Sequence, residues 1–210
     1  RNQNGKITEI NNPIKGCTYS GNEIKTNVLV KMLGPNEDAS DVLNMAAWRV
    51  LYSMDIIKKN NLRFPSEREF ISEDIIFNIR YYQFANFVSG VSNCGYIYCM
   101  NPGSLTERYN QERYKKGETL YIEKKRLLEL GKLYTNEAKF RTEEAFLRYT
   151  RYAIKSEVKF SKINGKKKTL DNILSIVKEP VYLDMLKAHD NKMKTKVDSL
   201  IDYFAVRKSV

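Results

Sequence analysis

The chain has 210 residues, 42% hydrophobic and 11% aromatic, with 36 Lys/Arg against 25 Asp/Glu for a formal net charge of +11. That length and apolar content can fill one large core or two small ones, which excludes a generally disordered chain. Three cysteines (Cys17, Cys94, Cys99) show no paired zinc spacing, and a single histidine, His189, excludes any site built from several imidazoles.

Residues 1–20 hold Gly5, Pro13 and Gly16 among short polar runs and read as extended strands and turns. Gly21 to Leu33 reads as a helix with Ile24, Val28 and Met32 on one face, stopped by Gly34-Pro35. Asn36 to Asp41 is a polar loop, Met45 to Ser53 is the most strand-like stretch, and a short helix follows from Asp55 to Asn60. Phe64-Pro65 turns into a loop carrying Glu67 and Glu69, and Ser72-Glu73-Asp74 opens a helix with Ile75, Ile79 and Tyr82 on its core side. Tyr96 to Met100 reads as a short strand and Pro102-Gly103 as a turn. The uncharged stretch from Tyr81 to Thr106 contains Gln83, Asn86, Asn93, Asn101 and Pro102, too polar for a membrane span.

From Glu107 the pattern is helical. Glu118 to Leu133 and Glu137 to Phe160 are separated by a segment in which Thr135 or Asn136 can cap the second helix. Asn164-Gly165 and Lys166-Lys167-Lys168 read as a basic turn, Thr169 opens a helix to Lys178, and Pro180 marks a break. A last helix places Leu183, Leu186, Met193, Val197, Leu200, Ile201 and Phe204 on one face, with His189 among them as a packing side chain. Charge divides unevenly: residues 1–106 carry 11 Lys/Arg and 10 Asp/Glu, residues 107–210 carry 25 and 15.

Glu73 and Asp74 fall in the first turn of their helix, where free backbone N–H groups and the positive end of the helix dipole favour an ionised carboxylate. Such a group can serve as a general base, and it can equally serve only to cap, with Ser72 as the N-cap residue. Around it, Trp48-Arg49-Val50-Leu51-Tyr52, Asn61-Leu62-Arg63-Phe64-Pro65, Ile71-Ser72-Glu73-Asp74-Ile75-Ile76-Phe77-Asn78, Tyr96-Ile97-Tyr98 and Asn101-Pro102-Gly103-Ser104-Leu105-Thr106 come in that order. Together they resemble the acceptor-side half of a family 2 glycosyltransferase, an inverting enzyme of GT-A fold, over roughly residues 20–106.

The resemblance implies that Asp74 is the catalytic base, with Glu73 an orienting or capping neighbour. Trp48 then stacks on an acceptor sugar, although a lone Trp in a strand more often packs in a core. Ser104 and Thr106 either contact a diphosphate or make a turn or cap. The implied donor is a nucleotide sugar and the implied product a surface polysaccharide or glycolipid. The complete enzyme would need Mn²⁺ or Mg²⁺ held by an Asp-x-Asp motif.

This chain departs from that pattern. Cys99 stands where many members carry Arg, and there is no Asp-x-Asp; the nearest segments are Asp38-Ala39-Ser40-Asp41 and Glu67-Arg68-Glu69. A Gly-rich phosphate loop and opening runs of Val and Ile are also missing. The chain therefore reads as the portion downstream of the metal motif, a poor catalyst alone.

The expected architecture is α/β: a partial, Rossmann-like GT-A region at residues 1–106 and a basic, mostly helical extension at 107–210. The expected setting is cytoplasmic, with reduced thiols, peripheral on the inner face of the plasma membrane. There Lys166, Lys167 and Lys168 would meet an anionic surface or a lipid-linked acceptor. The alternative is a basic helical module that binds nucleic acid through Lys/Arg and interleaved tyrosines, or that docks a partner or a second copy, without catalysis.

Overall fold

The computed structural model describes residues 2–3, 6–7, 12–93, 95–99, 108–189 and 195–208. These are mostly helical. The strands are short and antiparallel: β1 (Asn2–Gln3) pairs with β2 (Lys6–Ile7), and β3 (Thr18–Ser20) pairs with β4 (Phe87–Ser89) in the register Thr18↔Ser89, Tyr19↔Val88, Ser20↔Phe87. Among the described residues no parallel strand pair occurs, so the partial, Rossmann-like GT-A region expected for residues 1–106 is not seen, while the mostly helical character is. The sequence accounts for this, because parallel strands read as continuous apolar runs, whereas apolar residues in this half recur at helical spacing.

Helix α1 is wound as a π-helix over Ile24–Leu29 and as an α-helix over Val30–Leu33. It and α3 (Glu73–Tyr82) supply Ile24, Val28, Leu29, Leu33, Ile75, Ile76, Phe77 and Ile79 to a first core, all at most 1% exposed. The short α2 (Met54–Lys59) lies outside it, with no fully buried residue. Leu120, Leu127 and Leu128 of α4 (Arg113–Leu130), Leu133, and Ala138 of α5 (Asn136–Lys159) belong to the same core. Composition changes at 106/107, but the core runs across that boundary.

A second core gathers Phe146, Leu147 and Ile154 of α5 with Ile176 and Val177 of α7 (Lys166–Val177), Tyr182 and Met185 of α8 (Pro180–Ala188), and Ala205 of α9 (Lys196–Lys208). The one-turn α6 (Ser161–Asn164) leads into α7 through Gly165, whose φ of 82° is the left-handed conformation glycine adopts freely. Helix α5 spans both cores. Thr135 Oγ1 accepts a hydrogen bond from the Ala138 N–H at 3.2 Å, the expected cap.

Buried charges tie the elements together. Arg141, 1% exposed, forks onto Asp41 at 3.0 and 2.7 Å and reaches the Gly34 carbonyl at 3.1 Å, fixing the end of α1 and the following loop to α5. A Cβ on Gly34 would lie 2.1 Å from the Arg141 carbonyl oxygen, so that junction admits only glycine. Arg151 forks onto Asp202 at 3.0 and 2.9 Å and holds α9 to α5.

Four expected elements differ. Met45 to Ser53 is not a strand but irregular chain around a 3₁₀ turn at Ala47–Arg49. Tyr96 to Tyr98 lacks regular structure, and Met100 lies outside the described residues. Lys166 to Lys168 form the first turn of α7 rather than a loop. The last apolar helix is two: α8 ends at Ala188, and His189 is extended (φ −119°, ψ 110°). Leu183 and Leu186 pack on the second core while Val197, Leu200 and Phe204 face outward, so they do not share one face. Met193 lies outside the described residues. No described helix is long and apolar enough to cross a membrane.

Candidate acceptor-binding site

The site is built on the N-terminal end of α3. Ser72 holds the N-cap position (φ −150°, ψ 78°) but makes no capping bond. Its hydroxyl instead pairs with the Tyr149 hydroxyl at 2.7 Å, tying the start of α3 to α5. Glu73 and Asp74 form the first turn, half-buried. Partial burial raises the Asp74 carboxyl above its ordinary value of 3.8, opposed by a hydrogen bond from the Ala47 backbone N–H. One main-chain donor leaves the carboxylate with lone pairs for a ligand hydroxyl.

Ala47 opens the 3₁₀ turn that presents Trp48. The indole is 42% exposed and lies 4.4 Å from the Tyr96 ring and 5.2 Å from the Tyr98 ring, at interplanar angles of 32° and 22°. Trp48 is therefore not a core residue. With Tyr96 and Tyr98 it makes an aromatic surface, joined to the Asp74 carboxylate through the adjacent Ala47.

Helix α3 also holds this segment in place. Asn78, fully buried one turn beyond Asp74, donates to the Met45 carbonyl at 2.7 Å and accepts from the Tyr52 hydroxyl at 2.7 Å. The Tyr81 hydroxyl accepts from the Ser53 N–H at 2.8 Å. Burial pushes the Tyr52 phenol well above its ordinary value, and the nearby Asp74 charge adds to the rise. Main-chain groups that a sheet would pair are thus satisfied by side chains of α3.

Asn78, Tyr81, Tyr96, Tyr98 and Tyr149 were not singled out from sequence as site residues. The available signal was an Asn on the apolar side of a helix, where a buried amide must find partners.

Ser104 and Thr106 lie outside the described residues. Lys166, Lys167 and Lys168 are exposed on α7, which packs on the second core and does not join the Asp74 site. A cleft of about 250 Å³ on α5 is lined by Arg108, Tyr152, Lys155, Ser156, Lys159 and Phe160, also apart from Asp74.

The implied Mn²⁺ or Mg²⁺ finds no donor set among the described residues, where no group of three or more His, Cys, Asp or Glu side chains converges. Asp41 is engaged by Arg141, and Asp38 accepts the Ser40 N–H at 2.9 Å, so the Asp38–Asp41 segment does not fit a metal. His189 is 5% exposed, pairs through Nε2 with Glu143 at 2.7 Å and lies beside the Phe140 ring, a packing role. No family model, curated protein or solved structure matches the chain.

Proposed function

We propose that this chain is the acceptor-side part of an inverting, nucleotide-sugar-dependent glycosyltransferase of the family 2, GT-A kind, with Asp74 as general base. The supporting observation is the placement of a half-buried carboxylate of raised pKa beside an exposed aromatic surface, joined through Ala47. Aromatic faces suit the apolar face of a sugar ring, and a carboxylate partly withdrawn from water binds a hydroxyl proton more firmly than an exposed one. In this reading Trp48 stacks on the acceptor and Asp74 accepts the hydrogen bond of the reacting hydroxyl. Asp74 takes the proton as that oxygen attacks the anomeric carbon from the side opposite the nucleotide. The diphosphate leaves as an anion, so one carboxylate suffices. Glu73 orients or supports the helix start. In this reading donor and metal binding fall to a nucleotide-binding half that the described residues do not supply.

The nucleic-acid reading is less well supported. Many cations are engaged by acids: Arg126 of α4 and Arg80 of α3 by Glu123, Lys115 of α4 by Glu118, Arg148 of α5 by Glu144. Of the tyrosines, Tyr114 is 8% exposed and the Tyr149 hydroxyl is bound to Ser72.

Trp48, the only tryptophan, gives the test. Titration with saccharide acceptors should change its emission, and Asp74→Asn should weaken binding about tenfold while keeping the emission change, the loss of one charge-assisted hydrogen bond. In an enzyme complete with its donor half, Asp74→Asn should lower turnover by about two to four orders of magnitude. Unchanged emission together with normal turnover of that variant would remove the assignment.

A further inference from the structure

Helix α9 is amphipathic in the reverse of the usual sense. Its inward side presents Asp198, which binds Lys155 at 2.6 Å, and Asp202, which is forked by Arg151, together with Ala205. Its outward side carries Val197, Leu200, Tyr203 and Phe204, which are 55%, 54%, 50% and 53% exposed. Residues 197, 200 and 204 recur at three- and four-residue intervals and form one stripe, with 203 beside it. A surface helix ordinarily buries such a stripe; here the carboxylates are buried and the apolar chains are not.

The charges beside the stripe are positive. Lys196 and Arg207 lie on the same side of α9, and the Arg207 guanidinium sits 4.7 Å over the Tyr203 ring. Helix α7 packs against α9 and begins with exposed Lys166, Lys167 and Lys168. Ile163 on α6, just before them, is 80% exposed, and Leu170, just after, is 56% exposed. On α9 the apolar side chains are bordered by cations and the carboxylates are turned inward. On α7 the exposed Asp171 is set against three exposed lysines, so the balance of the face is still positive over apolar, the complement of a surface that is apolar beneath and anionic on top.

We propose that the outward stripe of α9 and the α6–α7 junction form a docking face for an anionic lipid surface. Val197, Leu200, Tyr203 and Phe204 enter the headgroup boundary, while Lys166 to Lys168, Lys196 and Arg207 meet lipid phosphates. A second copy of the chain is the weaker occupant, because two such faces would bring like charges together in a molecule of net charge +11. This inference stands independently of the role of Asp74.

The test is vesicle flotation of the chain with phosphatidylcholine alone and with phosphatidylcholine mixed with an equal part of phosphatidylglycerol, each at low and high salt. The chain should float with the anionic vesicles at low salt and release as salt rises. Lys166→Ala/Lys167→Ala/Lys168→Ala should lower partition about 100-fold. Leu200→Asp/Phe204→Asp should abolish flotation with circular dichroism unchanged; if that variant does not fold, the lysine variant decides. Equal flotation with neutral vesicles, or none with either, would overturn the proposal. So would self-association in light scattering that Leu200→Asp/Phe204→Asp abolishes without altering vesicle binding.

Discussion

At the scale of single residues, ionisable groups out of water make stability depend on pH. Asp74 keeps its proton to higher pH in the folded chain than in the unfolded one. The folded state therefore holds the extra proton between the ordinary value and the raised one, and stability falls as pH rises through that window. Asp74→Asn, which can still accept the Ala47 N–H, should melt at a higher temperature than the wild type at pH 7, with the gain vanishing below 3.8.

Lys124 shows the same linkage with a cation. It is 3% exposed, its Nζ donates to the Leu33 carbonyl at 2.6 Å at the end of α1, and burial lowers its pKa from 10.5 to about 7. Between those values the unfolded chain binds the proton that the folded chain has lost, so this residue makes stability rise with pH across the window. Lys124→Met loses about 1 kcal/mol with the hydrogen bond but removes the desolvation cost. In denaturant titrations its advantage over the wild type should be largest near pH 7 and shrink toward pH 10. Neither Lys124 nor the hydroxyl pair of Ser72 and Tyr149 was legible in sequence. Nothing in the local sequence separates Lys124 from the other cations of α4, and Ser72 stands at a cap position while its partner Tyr149 lies 77 positions away.

At the scale of elements, legibility followed how local the interactions are. The stop at Gly34-Pro35, the Thr135 cap and the start of α3 depend on residues a few positions apart, and each sits where the spacing placed it. Met45 to Ser53 has the side chains of a strand but finds no neighbouring strand, and Asn78 and Tyr81 take that place from α3. The break near His189 was hidden because apolar residues continue in helical register on both sides of it. The Arg141–Asp41 fork is another contact between distant positions, and it can be tested. Asp41→Ala leaves a buried guanidinium short of its main partner and should cost about 3 kcal/mol, the usual penalty for half of a buried pair. Chemical denaturation would measure it; a loss near zero would mean that Glu137 and the Gly34 carbonyl already satisfy Arg141.

At the scale of the whole molecule, the charge asymmetry pointed to a change at residue 106, yet the packing joins the two halves. Leu120, Leu127 and Leu128 complete a core begun by Ile24 and Ile75, because α1 and α3 alone leave an apolar side uncovered. The basic half is thus a wall of the first core as well as the frame of the second. Aromatic residues near Asp74 were visible as types, but their grouping depended on the 3₁₀ turn at Ala47–Arg49, which no short-range spacing announces.

The Ser72–Tyr149 hydroxyl pair sits on the same rod as Arg151 and Lys155, the two cations that grip α9. Six residues of helix separate Tyr149 from Lys155, a rise of about 9 Å. If α9 rests on a lipid sheet, this helix is the rigid link between that sheet and the start of α3, where Asp74 stands. Should the role proposed for Asp74 hold as well, a fixed link of this kind would restrict acceptors to those that present a hydroxyl at one set distance from the sheet.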